Sequence, residues 1–190
     1  MSALVIDPSD PSTIYAGSVG GGVFKSTDSA GSWNAANSGL NTLVTALAID
    51  PTTPSTLYAG TDDGVFKSID AGASWNAANT GLTNPHVTAL AIRPDPPNTL
   101  YVSAFGGGVF KSTDGASTWK GIGSSLPDSD ATALAIDPTT PGTLYAGTDG
   151  GVFESNDDGD WSTVNSGLNQ PLRHCTRYRP SCNEHALRWH

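Results

Sequence analysis

The sequence predicts an all-β chain of four tandem units, each a meander of four short antiparallel strands. Three observations carry that reading. Four tryptophans, Trp33, Trp75, Trp119 and Trp161, stand 42, 44 and 42 residues apart, a fixed period that marks a repeat rather than one irregular domain. Each closes the same phrase, Ser-x-Asp-x-x-x-Ser/Thr-Trp, at Ser26 to Trp33, Ser68 to Trp75 and Ser112 to Trp119, with a copy one residue shorter at Ser155 to Trp161. The 22 glycines and 13 prolines among 190 residues disfavour long helices and suit short strands joined by tight turns.

Aligned, the units open on SALVIDPSDPSTIYAG, TALAIDPTTPSTLYAG, TALAIRPDPPNTLYVS and TALAIDPTTPGTLYAG, and each continues through a Gly-rich turn into VFKS or VFES. In the first strand of the second unit Leu47 and Ile49 alternate with Ala46 and Ala48. Large and small apolar groups then lie on opposite faces, and both faces are expected to be buried between neighbouring sheets. Asp50-Pro51-Thr52-Thr53-Pro54 stops the strand, because proline supplies no ladder N–H and fixes its own φ. Thr56 to Gly60 resumes extended structure, Asp62-Asp63-Gly64 reverses it into Val65 to Ser68, and Asp70 to Ala73 turns it again toward a fourth strand near Trp75. Gly39-Leu40, Gly81-Leu82 and Gly167-Leu168 close three units, with Gly123-Ser124-Ser125-Leu126 in the third. The boundaries are residues 2–40, 41–82, 83–126 and 127–168, followed by a non-repeat basic tail, 169–190. One meander cannot bury two faces alone; stacking such sheets as the blades of a β-propeller does.

The run DPxxPxTLYAG, then GGVF, then STDxGxxW, resembles the Asp-box or BNR-repeat families, which include bacterial sialidases, xyloglucan-degrading glycosidases, sortilin-type receptors and photosystem assembly factors. The resemblance covers residues 2–168 and implies a β-propeller with four blades in this chain and an extracellular or periplasmic location. It also implies that the box turns lie away from the end of the propeller that is catalytic in those families. The box itself reads as structural. Asp70 accepts backbone N–H groups in a tight turn, Ser68 bonds across the strand ends, and Trp75 covers the turn against a neighbouring sheet. Equivalent roles fall to Ser26, Asp28 and Trp33, to Ser112, Asp114 and Trp119, and to Ser155, Asp157 and Trp161. The deletion in the last box is expected to shift Trp161 relative to its turn.

Charge divides the chain. Residues 1–170 carry 17 acidic side chains against five basic ones, Lys25, Lys67, Arg93, Lys111 and Lys120, whereas the last twenty residues hold one acid, Glu184, and four arginines. An acidic body repels phosphates and anionic headgroups, so neither a nucleic acid nor a membrane is expected as partner. No stretch is long and apolar enough to span a bilayer, and Met1-Ser2 is not followed by a basic segment and a hydrophobic run. The tail reads as foreign to the repeats. Its Cys175 and Cys182 are open to a disulfide or, with His174 and His185, to a zinc site of unfamiliar spacing.

Candidate ligand residues fall on the loops that share one face of such an array, namely Asp62, Asp63, His86, Phe105, Asp130 and Asp149. The turns that carry them are short, which predicts shallow walls rather than an enzyme cleft. A glycosidase needs two carboxyl groups, about 5 Å or roughly 6.5–9.5 Å apart. Asp62, Asp63, Asp128, Asp130 and Asp149 are candidates for such a pair or are solvated turn aspartates. The catalytic acids of the resembled glycosidases sit in elaborated loops that have no counterpart here. The arginine cluster of sialidases has none either, since Arg93 is the one arginine before the tail. No catalytic residue, cofactor or metal ligand is assigned; calcium at the aspartate turns is the one ion weighed, and their spacing is not that of an EF-hand. Phe105 either stacks on a sugar or plugs the wider end of the array, and His86 is a turn residue or a ligand contact. The chain therefore reads as a non-catalytic repeat scaffold or protein-interaction module, with a carbohydrate-binding module or a fragment of a glycoside hydrolase as the alternative, and a glycan as the alternative partner. Four blades either close on themselves or form an arc, and the abundant Ala and Gly favour the larger ring. Self-association of two chains into an eight-blade ring is expected.

Overall fold

The computed structural model describes residues 1–93, 98–122, 126–127, 130–156 and 159–168. The readings made on Asp128, Asp157 and the tail, with Cys175, Cys182, His174 and His185, lie outside the described residues. Blade 1 consists of β1 (Ala3–Ile6), β2 (Ile14–Ser18), β3 (Gly22–Ser26) and β4 (Asn34–Ala35). Blade 2 consists of β5 (Val44–Ile49), β6 (Leu57–Thr61), β7 (Gly64–Ser68) and β8 (Asn76–Ala77). Blade 3 contains β9 (Val87–Arg93), β10 (Thr99–Ala104), β11 (Gly108–Ser112) and β12 (Lys120–Gly121), and blade 4 contains β13 (Ala133–Ile136), β14 (Thr143–Thr148), β15 (Gly151–Asn156) and β16 (Trp161–Thr163). Within each sheet consecutive strands pair antiparallel in sequence order. Among the described residues no helix is long and apolar enough to cross a membrane.

The Asp-Pro corner does more than interrupt the first strand. Asp7, Asp50 and Asp137 each accept the N–H two residues on, at 2.8, 2.8 and 2.7 Å, so the carboxylate caps the turn that proline begins. Blade 3 carries Arg93 at this place, and its guanidinium reaches across to Pro141 O of blade 4 at 3.1 Å.

The four sheets enclose three apolar layers, one at each junction. Between blades 1 and 2 lie Tyr15, Val23 and Leu40 from one side and Val44, Leu47, Leu57 and Trp75 from the other. The same positions recur at the next two junctions as Tyr58 and Val65 with Val87, Leu100 and Trp119, and as Tyr101, Val109 and Leu126 with Ala131, Leu144 and Trp161. Each buried Trp donates its indole N–H backward to the preceding blade: Trp75 to Ala36 O at 2.8 Å, Trp119 to Ala78 O at 2.7 Å and Trp161 to Ile122 O at 3.0 Å. A hydroxyl at the head of each inner strand points forward: Ser2 donates to Val44 O, Thr45 to Val87 O at 2.7 Å and Thr88 to Ala131 O at 2.5 Å. Glycine is required where backbones meet. A Cβ on Gly81 (φ +88°) would lie 2.2 Å from Trp119 O, and one on Gly60 would lie 2.5 Å from Val87 Cγ1.

The burial of both faces expected from the sequence is met by Leu47, Ala48 and Ile49 of β5, relaxes to half-buried side chains along β9 and fails at the ends of the array. Leu4 and Ile6 of β1 are 59% and 53% exposed, and Leu168 at the close of blade 4 is 56% exposed where Leu40 of blade 1 is 1%. Trp33 is only half-buried, with no described sheet packed over it as blade 1 packs over Trp75. The sheets are not closed into a ring. The molecule is an open arc of four propeller blades.

Candidate functional site

The turns between second and third strands share one rim with the loops that join blade to blade. Asparagines standing four residues after the box Trp fix the backbone there. Asn37 Nδ2 donates to Gly21 O at 2.8 Å, Asn79 accepts the Val65 N–H at 2.7 Å and donates to Asp63 O at 3.1 Å, and Asn165 accepts the Val152 N–H at 2.7 Å. The sequence reading passed over these residues, although the spacing Trp-x-x-x-Asn was there to find. Blade 3 has Gly123 at that place, and its turn is braced from both sides instead. Asn84 Nδ2 donates to Phe105 O at 2.5 Å, the Phe105 N–H to His86 O at 2.8 Å, and the Gly106 N–H to Asp130 Oδ1 at 2.7 Å.

These braces shape a rim with a groove at its first junction. About 500 Å³ in volume, it is lined by Gly20 to Gly22, Asn37, Leu40, Asn41, Thr42, Leu43 and Asp62. Amide, hydroxyl and carboxylate groups supply its polarity, and the three glycines leave backbone groups uncovered. At the neighbouring junction His86 Nδ1 lies 3.8 Å from Asp62 Oδ1, an ion pair only when the imidazole is protonated. Asp63 is exposed beside it, its N–H tied to Thr61 Oγ1 at 3.0 Å. Phe105 presents its ring to solvent, 47% exposed, on the turn that His86 holds. Structure thus brings Asp62, His86 and Phe105 into one succession along the rim, with Asp130 engaged behind Phe105 and Asp149 exposed in the turn of blade 4. Among the described residues no three His, Cys, Asp or Glu side chains converge as a metal site would need.

The boxes form a second set of turns at the end of each third strand. Asp70 Oδ1 accepts the Ser74 N–H at 2.9 Å and the Ser68 hydroxyl at 2.8 Å, while Oδ2 accepts the Ser74 hydroxyl at 2.6 Å. Asp28 does the same with Ser32 and Ser26, and Asp114 with Thr118 and Ser112. Hydroxyl and backbone donors from Ser32, Ser74 and Thr118, followed by the box serines, favour the ionised form, and all three carboxyls are held at about 2 against an ordinary 3.8. Ser68 departs from expectation. It bonds within the turn, accepting the Gly72 N–H at 2.9 Å, rather than across the strand ends.

In the short fourth box Trp161 keeps its place on the sheet: Phe153 pairs with Thr163 and Glu154 with Ser162, matching Phe24 with Ala35 and Lys25 with Asn34 in blade 1, and Ser155 pairs with Trp161 itself, a rung that blade 1 lacks. The expected shift relative to the turn lies outside the described residues. The buried Ser155 hydroxyl has no hydrogen-bond partner.

No protein-family model matches the chain, and no curated protein does. Solved structures do. An ancestral GH74 enzyme superposes with a TM-score of 0.71 at 24% identity over 85% of this chain and 23% of its own. The GH74 xyloglucanase of Xanthomonas campestris gives 0.64 at 19% identity over 84% of this chain and 29% of its own, and the GH74 enzyme of Niastella koreensis 0.64 at 26% over 90% and 31%. The chain therefore spans between about a fifth and a third of the length of these proteins. Likeness at this distance shows a fold, and it is a propeller-type fold of Asp-box repeats, present here as four consecutive blades.

Proposed function

We propose that the rim binds a neutral polysaccharide, with the groove between blades 1 and 2 and the ring of Phe105 as successive contacts. One observation carries the reading. A groove edged by Asn37, Asn41, Thr42 and Asp62 offers neutral donors and acceptors with a single carboxylate, on the same rim as an exposed aromatic face. Sugars present hydroxyls around a flat apolar face, and such a surface meets both. Likeness to GH74 enzymes supports carbohydrate over a bare scaffold, and it supports a site of action outside the cytoplasm. Binding without cleavage is the form proposed, since the rim turns are short. Calorimetric titration with xyloglucan oligosaccharides and a panel of neutral glucans tests it. Binding that falls about tenfold in Phe105→Ala is expected. Silence across the panel overturns the proposal, and release of new reducing ends replaces it with a glycosidase.

We infer also that a second copy closes the open arc. Propellers hold roughly four to eight blades, so two arcs of four fill a ring and a third exceeds it. Among the described residues, five of the eight large exposed apolar side chains, Met1, Leu4, Ile6, Val164 and Leu168, lie in the first and last blades. Surface of this kind favours association.

A further inference from the structure

We propose, resting on that second-copy reading, that the closing junction is built on the plan of the internal ones, with blade 4 of one copy receiving blade 1 of the other. The internal junctions share the backward indole bond and the forward hydroxyl, and the first two also share a backbone bond and a glycine notch; the two ends of the arc display the matching groups. Trp75 takes its indole bond from Ala36 O and its backbone bond, at 2.9 Å, from Ser38 O; Trp119 takes the corresponding backbone bond, at 2.8 Å, from Thr80 O. The equivalent acceptors at the far end are Val164 and Ser166, both exposed, and the equivalent donor is the half-buried Trp33. Trp33 of the second copy donates to those two carbonyls. Its backbone sits over Gly167, which at φ +84° keeps the left-handed conformation of Gly39 and Gly81 but has nothing within 4 Å among the described residues.

The inner strands agree. Gly17 and Gly60 each receive a valine of the following blade, Val44 Cγ1 and Val87 Cγ1 lying 2.6 and 2.5 Å from where a Cβ would stand. Among the described residues Gly147 has only Ala133 nearby, at 3.4 Å, so its notch is open to the residue at position 1 of the second copy. Thr132 completes the forward series of Ser2, Thr45 and Thr88. Within its own chain its hydroxyl reaches Gly147 O at 3.4 Å, and it is exposed toward the next blade. It donates to the carbonyl at position 1.

One contact sets this junction apart. Lys25 and Lys67 donate forward to Ala71 O and Gly115 O at 3.4 and 2.8 Å. Blade 4 has Glu154 where those lysines stand, and the residue aligned with Ala71 and Gly115 in blade 1 is Ser29, which alone of the three carries a hydroxyl. An acceptor thus replaces a donor on one side where a donor appears on the other. Because the two ends differ, the contact is head-to-tail and is made twice, about an axis through the ring.

Light scattering on the eluting full chain, with variants of the open end, tests the proposal. The parent is expected at twice 19.5 kDa. Leu168→Asp puts a charge on a face exposed in the open arc, and Gly147→Val fills the notch; each is expected at 19.5 kDa with an unchanged circular dichroism spectrum. Thr132→Val, nearly isosteric at an exposed site, is expected to weaken dimerisation about tenfold and decides the matter if the other two misfold. A parent that is monomeric at tens of micromolar overturns the ring itself. A dimeric parent whose Thr132→Val and folded Leu168→Asp forms dimerise as before leaves the second copy standing and overturns this junction.

Discussion

Leu40 and Leu168 occupy the same place at the close of blades 1 and 4, seven residues after their tryptophans, yet one is 1% and the other 56% exposed. Trp75 and Trp33 differ in the same way, one sealed against Ala36 and its neighbours and the other half in water. Local sequence is equal in each pair. The difference comes from the next sheet, which supplies the carbonyls, the apolar cover and the close backbone approach. Middle blades owe their order to two neighbours and end blades to one, as expected of a one-dimensional array.

That contrast is open to direct attack, best in the Leu168→Asp background, where both end faces stay open. Trp75→Ala removes a buried indole and its bond, and is expected to cost about 3–5 kcal/mol in urea unfolding. Trp33→Ala is expected to cost less than half as much; equal losses would break the comparison. A smaller effect separates the complete boxes from the short one. Ser68→Ala deletes a hydroxyl that both donates to Asp70 and accepts the Gly72 N–H, and is expected to destabilise by about 1–2 kcal/mol. Ser155→Ala removes a buried hydroxyl without a partner and is expected to be neutral or stabilising in the same measurement.

Acid provides the finest probe. Asp28, Asp70 and Asp114 are held at about 2 in the folded chain against 3.8 ordinarily. A folded value below the unfolded one means that the boxes give their full stabilisation above about pH 4 and lose it as pH falls through about 2. In Asp70→Asn the midpoint of thermal unfolding is expected to change less between those limits than in the parent. An identical slope would show that the carboxylate does not titrate with folding.

Much of this architecture was legible in the sequence, because a period near 43 with Trp and Asp at fixed offsets requires the same turn and the same sheet each time. Strand order followed from turn chemistry at Asp-Pro and Gly-rich corners. Burial at the ends did not follow, since nothing in the segment around Trp33 reports whether another sheet faces it. The hold on Trp161 is hidden for a related reason: its indole bond to Ile122 O comes from the preceding blade, and its pairing with Ser155 from its own sheet. On the rim, Asp62 and Phe105 were visible as turn residues, but the approach of His86 to Asp62 depends on how two blades lean together. The bracing asparagines repeat at Trp-x-x-x-Asn, but their bonds to Gly21 O, Asp63 O and the Val65 and Val152 N–H groups depend on how the rim turn folds back on the fourth strand.

The forward hydroxyls and backward indoles give the array a polarity, since each joint has a donor of one kind on either side. A chain cut at the loop before β5, with blade 1 grafted after blade 4, would present Trp75 and Val44 at its head and Ala36 and Leu40 at its foot. Such a permutant would keep three joints and offer the same mating surfaces under different residue names. The order of assembly is written equally into every seam.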